Sequence, residues 1–209
     1  MTFIVAVHIP IAGMGLLPVL FGWPLLFFPL HVLFLEFIID PACAFVFEAD
    51  PESPDIMQRK PRRPDARLFS RAALTRSVIL GSAALLLCAA VYGVALPLLP
   101  EPEARALSFI TLVGANLALI FVSRSRSQPF AAVIARPNRI YWWITGATLA
   151  ALCIVVYVPS VAALFRFSAP AIPLAIVMVL FGVAIIIGCG LAQRSIWRSE
   201  ERRVGKECR

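Results

Sequence analysis

Charge is scarce in this chain: only 15% of its 209 residues are Asp, Glu, Lys or Arg, against 60% hydrophobic. With a mean hydropathy of +0.87, that balance excludes a soluble domain of this size. Short alternating strands are also missing, which argues against a membrane β-barrel. The five cysteines, Cys43, Cys88, Cys153, Cys189 and Cys208, form no CxxC pair, and four of them lie inside apolar blocks. Neither a disulfide nor a zinc site is expected from them. The N-terminus has no basic n-region and no small-residue cleavage motif, so it does not read as a signal peptide. Met1 runs straight into apolar sequence, as a helix entered partway would, and the chain is expected to be the C-terminal piece of something longer. No inverted internal repeat, the mark of many secondary transporters, is visible.

What is present is a series of six apolar blocks, about 3–21, 25–47, 72–99, 104–122, 140–158 and 171–191. A bilayer-spanning helix needs about 20 apolar residues. The expected fold is therefore all-α, a polytopic membrane bundle of six transmembrane helices within residues 1–197. Residues 198–209, RSEERRVGKECR, shift abruptly to charged composition. They read either as a solvated tail or as a non-native appendage, and fold reasoning leaves them out.

The net charge of +7 does not point to nucleic acid, because the charges stand between blocks and at the C-terminus. Of the 19 Lys and Arg, only Arg105 and Arg166 fall in connectors on one side of a six-span layout. The rest flank the other side, at 48–70, 123–139 and the C-terminus. The positive-inside rule makes that side cytoplasmic, with both ends on it. The lipid bilayer is the first partner; in a bacterium the membrane would be the plasma membrane.

The chemistry gathers in the second block. Glu36 and Asp40 are four residues apart, hence on one face of an α-helix, and Pro41 follows at once. Each carboxylate costs about 2.5–3.5 kcal/mol at the centre of a bilayer. Either the pair lies beyond the membrane edge as interfacial charge, or it lies within the membrane, where a cation visits it or one acid stays protonated. Phe45, Val46 and Phe47 continue the apolar run after Asp40 and favour the second. Pro41 has no N–H and its ring clashes with the carbonyl of Phe37, four residues back. Two carboxylates and a released carbonyl make an oxygen-rich cation site. In the first block Pro10 should release the carbonyl of Ala6 in the same way, and His8, Pro10 and Pro18 are expected to interrupt that helix. His8 is either a satisfied polar residue between helices or a ligand. Asn116, the one amide in the fourth block, either bridges helices or joins the ligand set.

The loop after the second block reads DPESPDIMQRKPRRP, residues 50–64. Together with the block before it, it resembles the P-type cation-transporting ATPases, in particular the calcium-pump-like branch. In that family a sixth membrane helix reading roughly NLVTDxxPA leads into PPxPDIMxRPPRxP. Ser53-Pro54-Asp55-Ile56-Met57-Gln58-Arg59, with Pro61, Arg62 and Pro64, carries the match. Gly22-Trp23-Pro24 and Pro29 fit the preceding turn, and the four later blocks fit the remaining spans. The resemblance covers membrane helices five to ten.

The resemblance implies a cation bound between helices at mid-membrane. It sets Asp40 on the helix-six site aspartate, Glu36 on a site asparagine and Ile39 on a site threonine. His8 falls on a helix-five site asparagine, Ile11 on a site glutamate, and Asn116 on a helix-eight Glu or Gln. The acid of helix five is gone and helix six has gained one, so calcium specificity does not carry over. Such pumps form an aspartyl-phosphate on DKTG and bind ATP and magnesium in cytoplasmic domains. Neither DKTG nor GDGxND occurs in these residues. The chain is expected to be the transport part of an ATP-driven ion translocase, with ATP and magnesium reached only through the remaining N-terminal and cytoplasmic parts of the pump. Asp40 and Glu36 are the expected metal ligands. His8, Asn116 and the backbone carbonyls of Phe37 and Ala6 are candidate helpers. The alternatives are a pump part for magnesium, manganese, sodium, potassium or proton, or a small secondary transporter or membrane scaffold.

Overall fold

The computed structural model describes residues 2–49, 71–124 and 138–207, with side chains for all of these but 2, 39, 40, 42, 43, 71, 72 and 196–207. The basic Pro-rich loop and most of the 123–139 segment lie outside the described residues. In chain order the elements are α1 (Thr2–Phe21), α2 (Pro29–Phe34), a π-helical turn (Leu35–Ile39), α3 (Asp40–Glu48), α4 (Arg71–Ala95), α5 (Glu101–Arg124), α6 (Arg139–Tyr157), α7 (Pro159–Leu164) and α8 (Ile172–Glu207). Among the described residues there is no strand. Among the described residues five helices are long and apolar enough to cross a membrane. Residues 29–48 form a sixth continuous helical rod, about 30 Å long at 1.5 Å per residue. This is an all-α, integral, multi-pass membrane bundle.

The expected interruption of the first helix does not occur: α1 runs unbroken through Pro10 and Pro18. Each proline removes one backbone bond, and neighbouring groups take up the slack. The Ala6 carbonyl, deprived of its donor by Pro10, rests on α4 at Gly81, where a Cβ would stand only 2.7 Å from it. The third apolar block is helical to Ala95 and goes on in hydrogen-bonded turns, with Leu96 N–H bonded to the Tyr92 carbonyl and Leu99 N–H to that of Ala95.

At the centre of the bundle is α5, whose most apolar window is 83% buried, against 17% for α8. It packs on α4 and α8, while α1 lies along α4 and α3 meets α6. Burial without a hydrophobic drive between helices requires close backbone contact. Gly114 and Gly182 supply it: a Cβ on Gly182 would lie 2.7 Å from the Thr111 carbonyl oxygen, and one on Gly114 2.8 Å from that of Val179. The exposed large apolar side chains, such as Leu20, Phe37, Leu86 and Leu180, face outward, as a lipid-facing surface requires.

The connectors at one end are tied together by a buried arginine. Arg105 is 2% exposed. It donates to the Leu25 carbonyl at 3.2 Å, to the Arg166 carbonyl at 2.9 Å and to the Glu101 carboxylate. It also stacks over Phe28, as Arg166 does. Tyr92 donates from its hydroxyl to the Pro24 carbonyl at 2.9 Å, so α4 and α5 both grip the 22–28 turn. Arg166 itself has φ 53°, an uncommon conformation for a side-chain-bearing residue. It closes α7 in a Schellman arrangement, with Phe167 N–H bonded to the Ala162 carbonyl and Arg166 N–H to that of Ala163.

At the other end Asn138 caps α6: its side-chain oxygen accepts from the N–H groups of Ile140 and Tyr141. Its amide nitrogen donates to the Val46 carbonyl at 3.3 Å, joining α6 to α3. Asn138→Ala is expected to cost about 1 kcal/mol, within the usual 0.5–2 kcal/mol for a lost cap. Denaturant titration of the reconstituted chain checks this; an unchanged midpoint would show that the cap carries no stability.

Candidate cation site

The site begins with the local effect of Pro41 on its own helix. A proline is comfortable in the first turn of a helix but offers no bond to the residue four back. The chain answers by widening for one turn. Leu35–Ile39 is π-helical, and α3 restarts at Asp40 with Pro41 in its first turn. Single π turns of this kind are frequent at functional sites in helices. The sequence pointed to a break with a released Phe37 carbonyl; the structure resolves it as a π turn that keeps the rod continuous. The Phe37 side chain points out, 74% exposed, while Leu35 is buried.

Glu36, between them, turns toward α1. Its Oε1 lies 3.6 Å from Nε2 of His8, with the two side chains 37% and 44% exposed. Nδ1 of His8 is 2.8 Å from the Ile4 carbonyl, one turn back on the same helix. Since a carbonyl only accepts, that bond assigns the Nδ1 proton and leaves Nε2 as the ring atom facing Glu36. His8 and Glu36, 28 positions apart in sequence, are thus brought together. Both retain access to the outside of the packed core.

Other sequence candidates are placed differently. Ile11 is partly buried and packed against the core. The Ala6 carbonyl faces Gly81 on α4. Asn116 is 0% exposed on α5, and its amide oxygen and nitrogen have no hydrogen-bond partner among the described residues. Ile39 and Asp40 are placed by backbone alone, at the join of the π turn and α3, and the Asp40 side chain lies outside the described part. Among the described residues no group of three or more His, Cys, Asp or Glu gathers.

Two features were not read from the sequence as they stand. Arg105, a connector charge by sequence, is a buried anchor in the structure; the Glu101–Arg105 spacing of four is the signal for it. His31 is 0% exposed, with its ring among Phe27, Phe28, Phe109, Phe165 and Phe167. Its Nδ1 accepts the Phe28 N–H at 2.9 Å. As third residue of α2, it reaches back to cap the helix in the manner of a capping box.

A family model described as the C-terminus of cation-transporting ATPases matches residues 24–194. The chain belongs to that family. The match takes in Glu36, Asp40 and Asn116, while His8 lies ahead of it. Among curated relatives, calcium-transporting ATPase 1 of Bacillus cereus (strain ATCC 10987 / NRS 248) is 28% identical over 168 residues, 71% of this chain and 19% of that protein. The calcium-transporting ATPase of Bacillus subtilis (strain 168) is 28% identical over 162 residues, 72% of this chain and 17% of that protein. One from Listeria monocytogenes serovar 1/2a is 30% identical over 135 residues, 63% of this chain and 14% of that protein. The chain spans less than a fifth of the length of these relatives. In this C-terminal membrane region of the cation-transporting ATPases, the second span carries the widened turn and its acid.

Proposed function

We propose that this chain binds and passes a cation as the membrane-embedded part of an ATP-driven P-type pump. The observation that supports it most is the His8–Glu36 approach at 3.6 Å, across two spans and at a π turn. An acid inside an apolar rod is expensive unless it meets positive charge. Asp40, four residues on, adds a second carboxylate to the same rod in this reading, and Asn116 a neutral oxygen. Phosphoryl transfer from ATP, with magnesium, belongs to cytoplasmic domains of the whole pump. The basic segments 48–70 and 123–139 then lie on the cytoplasmic side, against lipid phosphates or those domains.

The test is equilibrium cation binding by the chain in lipid nanodiscs, with calcium, magnesium, manganese, cobalt(II), sodium and potassium each titrated alone. Asp40→Asn is expected to weaken the ion that binds by about tenfold or more, since hard cations draw affinity from charged oxygens. Asn116→Ala is expected to change it less than about threefold, the equivalent of the average interhelical polar contact. No binding of any of these ions, or a larger loss in Asn116→Ala than in Asp40→Asn, overturns the reading.

A further inference from the structure

From the His8–Glu36 geometry we infer that the site takes a divalent first-row transition metal in preference to calcium or magnesium. This rests on the reading that the pair belongs to the cation path, and deepens it by naming the ion class.

Metal-binding histidines almost always give their second ring N–H to a carbonyl or carboxylate, which fixes the tautomer and raises the basicity of the ligating nitrogen. His8 has that arrangement built into its helix, through Nδ1 and the Ile4 carbonyl at 2.8 Å. The ligating atom, Nε2, is then directed at a carboxylate oxygen 3.6 Å away. That separation exceeds the 2.7–3.2 Å of a hydrogen bond. It lies within ion-pair range, and it also fits an ion held between the two. With metal–nitrogen and metal–oxygen bonds of about 2.1 Å, ligand pairs at angles from about 90 to 120° stand about 3.0–3.6 Å apart.

The donor types decide the class. Calcium and magnesium take oxygen ligands, whereas imidazole suits zinc, copper, iron and nickel, and mixed nitrogen–oxygen sites follow the first-row order of affinity. No Asp or Glu lies anywhere in α1, so that helix offers the site an imidazole and no carboxylate. One turn on, where a second side chain could reach the same region, stands apolar Ile11. Nitrogen from α1 and oxygen from the π turn make a mixed pair, and waters or carbonyls complete the shell.

Cobalt(II) is the probe, because its visible d–d absorption reports entry into a protein coordination shell. The chain has two histidines, and His31 is fully buried in its phenylalanine cage, so absorption lost on replacing His8 assigns an imidazole ligand to that residue. The intact chain in nanodiscs is titrated with cobalt(II) alone and with calcium alone. Cobalt(II) is expected to bind at least about 10–100-fold more tightly, and His8→Gln to lose that margin, a range that even outer-shell partners of metal ligands command. His8→Glu substitutes a hard oxygen and is expected to keep binding while reversing the preference toward calcium. It also decides the matter should His8→Gln fail to fold. His31→Phe is expected to leave cobalt(II) binding within about twofold, a change of under 0.5 kcal/mol. Calcium binding as tight as cobalt(II), or cobalt(II) binding untouched by both His8 variants, overturns this inference and leaves the cation path standing. Failure of every cation to bind overturns both.

Discussion

Arg105→Met is expected to loosen one whole end of the bundle. The guanidinium is buried and holds two backbone carbonyls from two different connectors and one carboxylate of its own helix. Hydrogen bonds to a charged donor contribute about 1.5–3 kcal/mol each. Glu101 is 46% exposed, so water takes over its share when the arginine goes, and little of the loss falls there. The Leu25 and Arg166 carbonyls keep their buried setting, and the cost rests on them. The expected destabilisation is about 3–5 kcal/mol, the range for removing one partner of a buried charged contact. Arg105→Lys keeps the charge but not the fork that reaches several acceptors at once, and should fall between the two. Hydrogen–deuterium exchange of the reconstituted chain would show it, with faster exchange confined to the 22–28 turn and the 165–168 connector. Equal protection in wild type and Arg105→Met would mean that the connectors hold without their anchor.

Gly182→Val is expected to separate α8 from α5. The added carbons would meet backbone rather than movable side chains: the Thr111 carbonyl oxygen at 2.7 Å and the Ala115 nitrogen at 3.2 Å. Replacing a helical glycine normally gains up to about 1 kcal/mol of helix propensity. Overpacking costs about 1–3 kcal/mol where side chains can adjust, and more where they cannot. Here the clash wins, with an expected net loss of about 3 kcal/mol. Gly188→Ala on the same helix is the contrast, because a Cβ there meets nothing within 4 Å. It should be neutral or mildly stabilising. Thermal unfolding of both variants in the same lipid separates the effects. A Gly182→Val chain as stable as Gly188→Ala would show that the α5–α8 crossing yields without cost.

Arg105 and Gly182 both act through contacts that no local pattern announces. The helices themselves were legible: the cost of unpaired backbone in hydrocarbon turns each long apolar run into a helix whatever its neighbours. Asp40-Pro41 after Glu36 also marked where the second rod would depart from an α-helix, because a proline's missing N–H is a property of the residue. How it departs was not legible. A loose end, a kink and a π turn all satisfy the same covalent constraint, and the choice fell to the packing around Leu35 and Glu36.

The candidate site divides along the same line. Sequence alone determined which residues carry charge or a ligand atom within apolar runs: His8, Glu36, Asp40 and Asn116. Tertiary structure decided that His8 and Glu36 meet, and that the Ala6 carbonyl is occupied by the approach of Gly81. It also decided that α5 is the helix surrounded on most sides while α8 lies at the rim. The reason is periodicity. A helix repeats every 3.6 residues, so sequence can tell which side chains share a face. When nearly every face is apolar, as in α1, α5 and α8, hydropathy gives no signal for which face turns inward. That choice is left to close contacts between backbones at glycine and to the few polar groups, such as Arg105 and the His8–Glu36 pair, that must find one another.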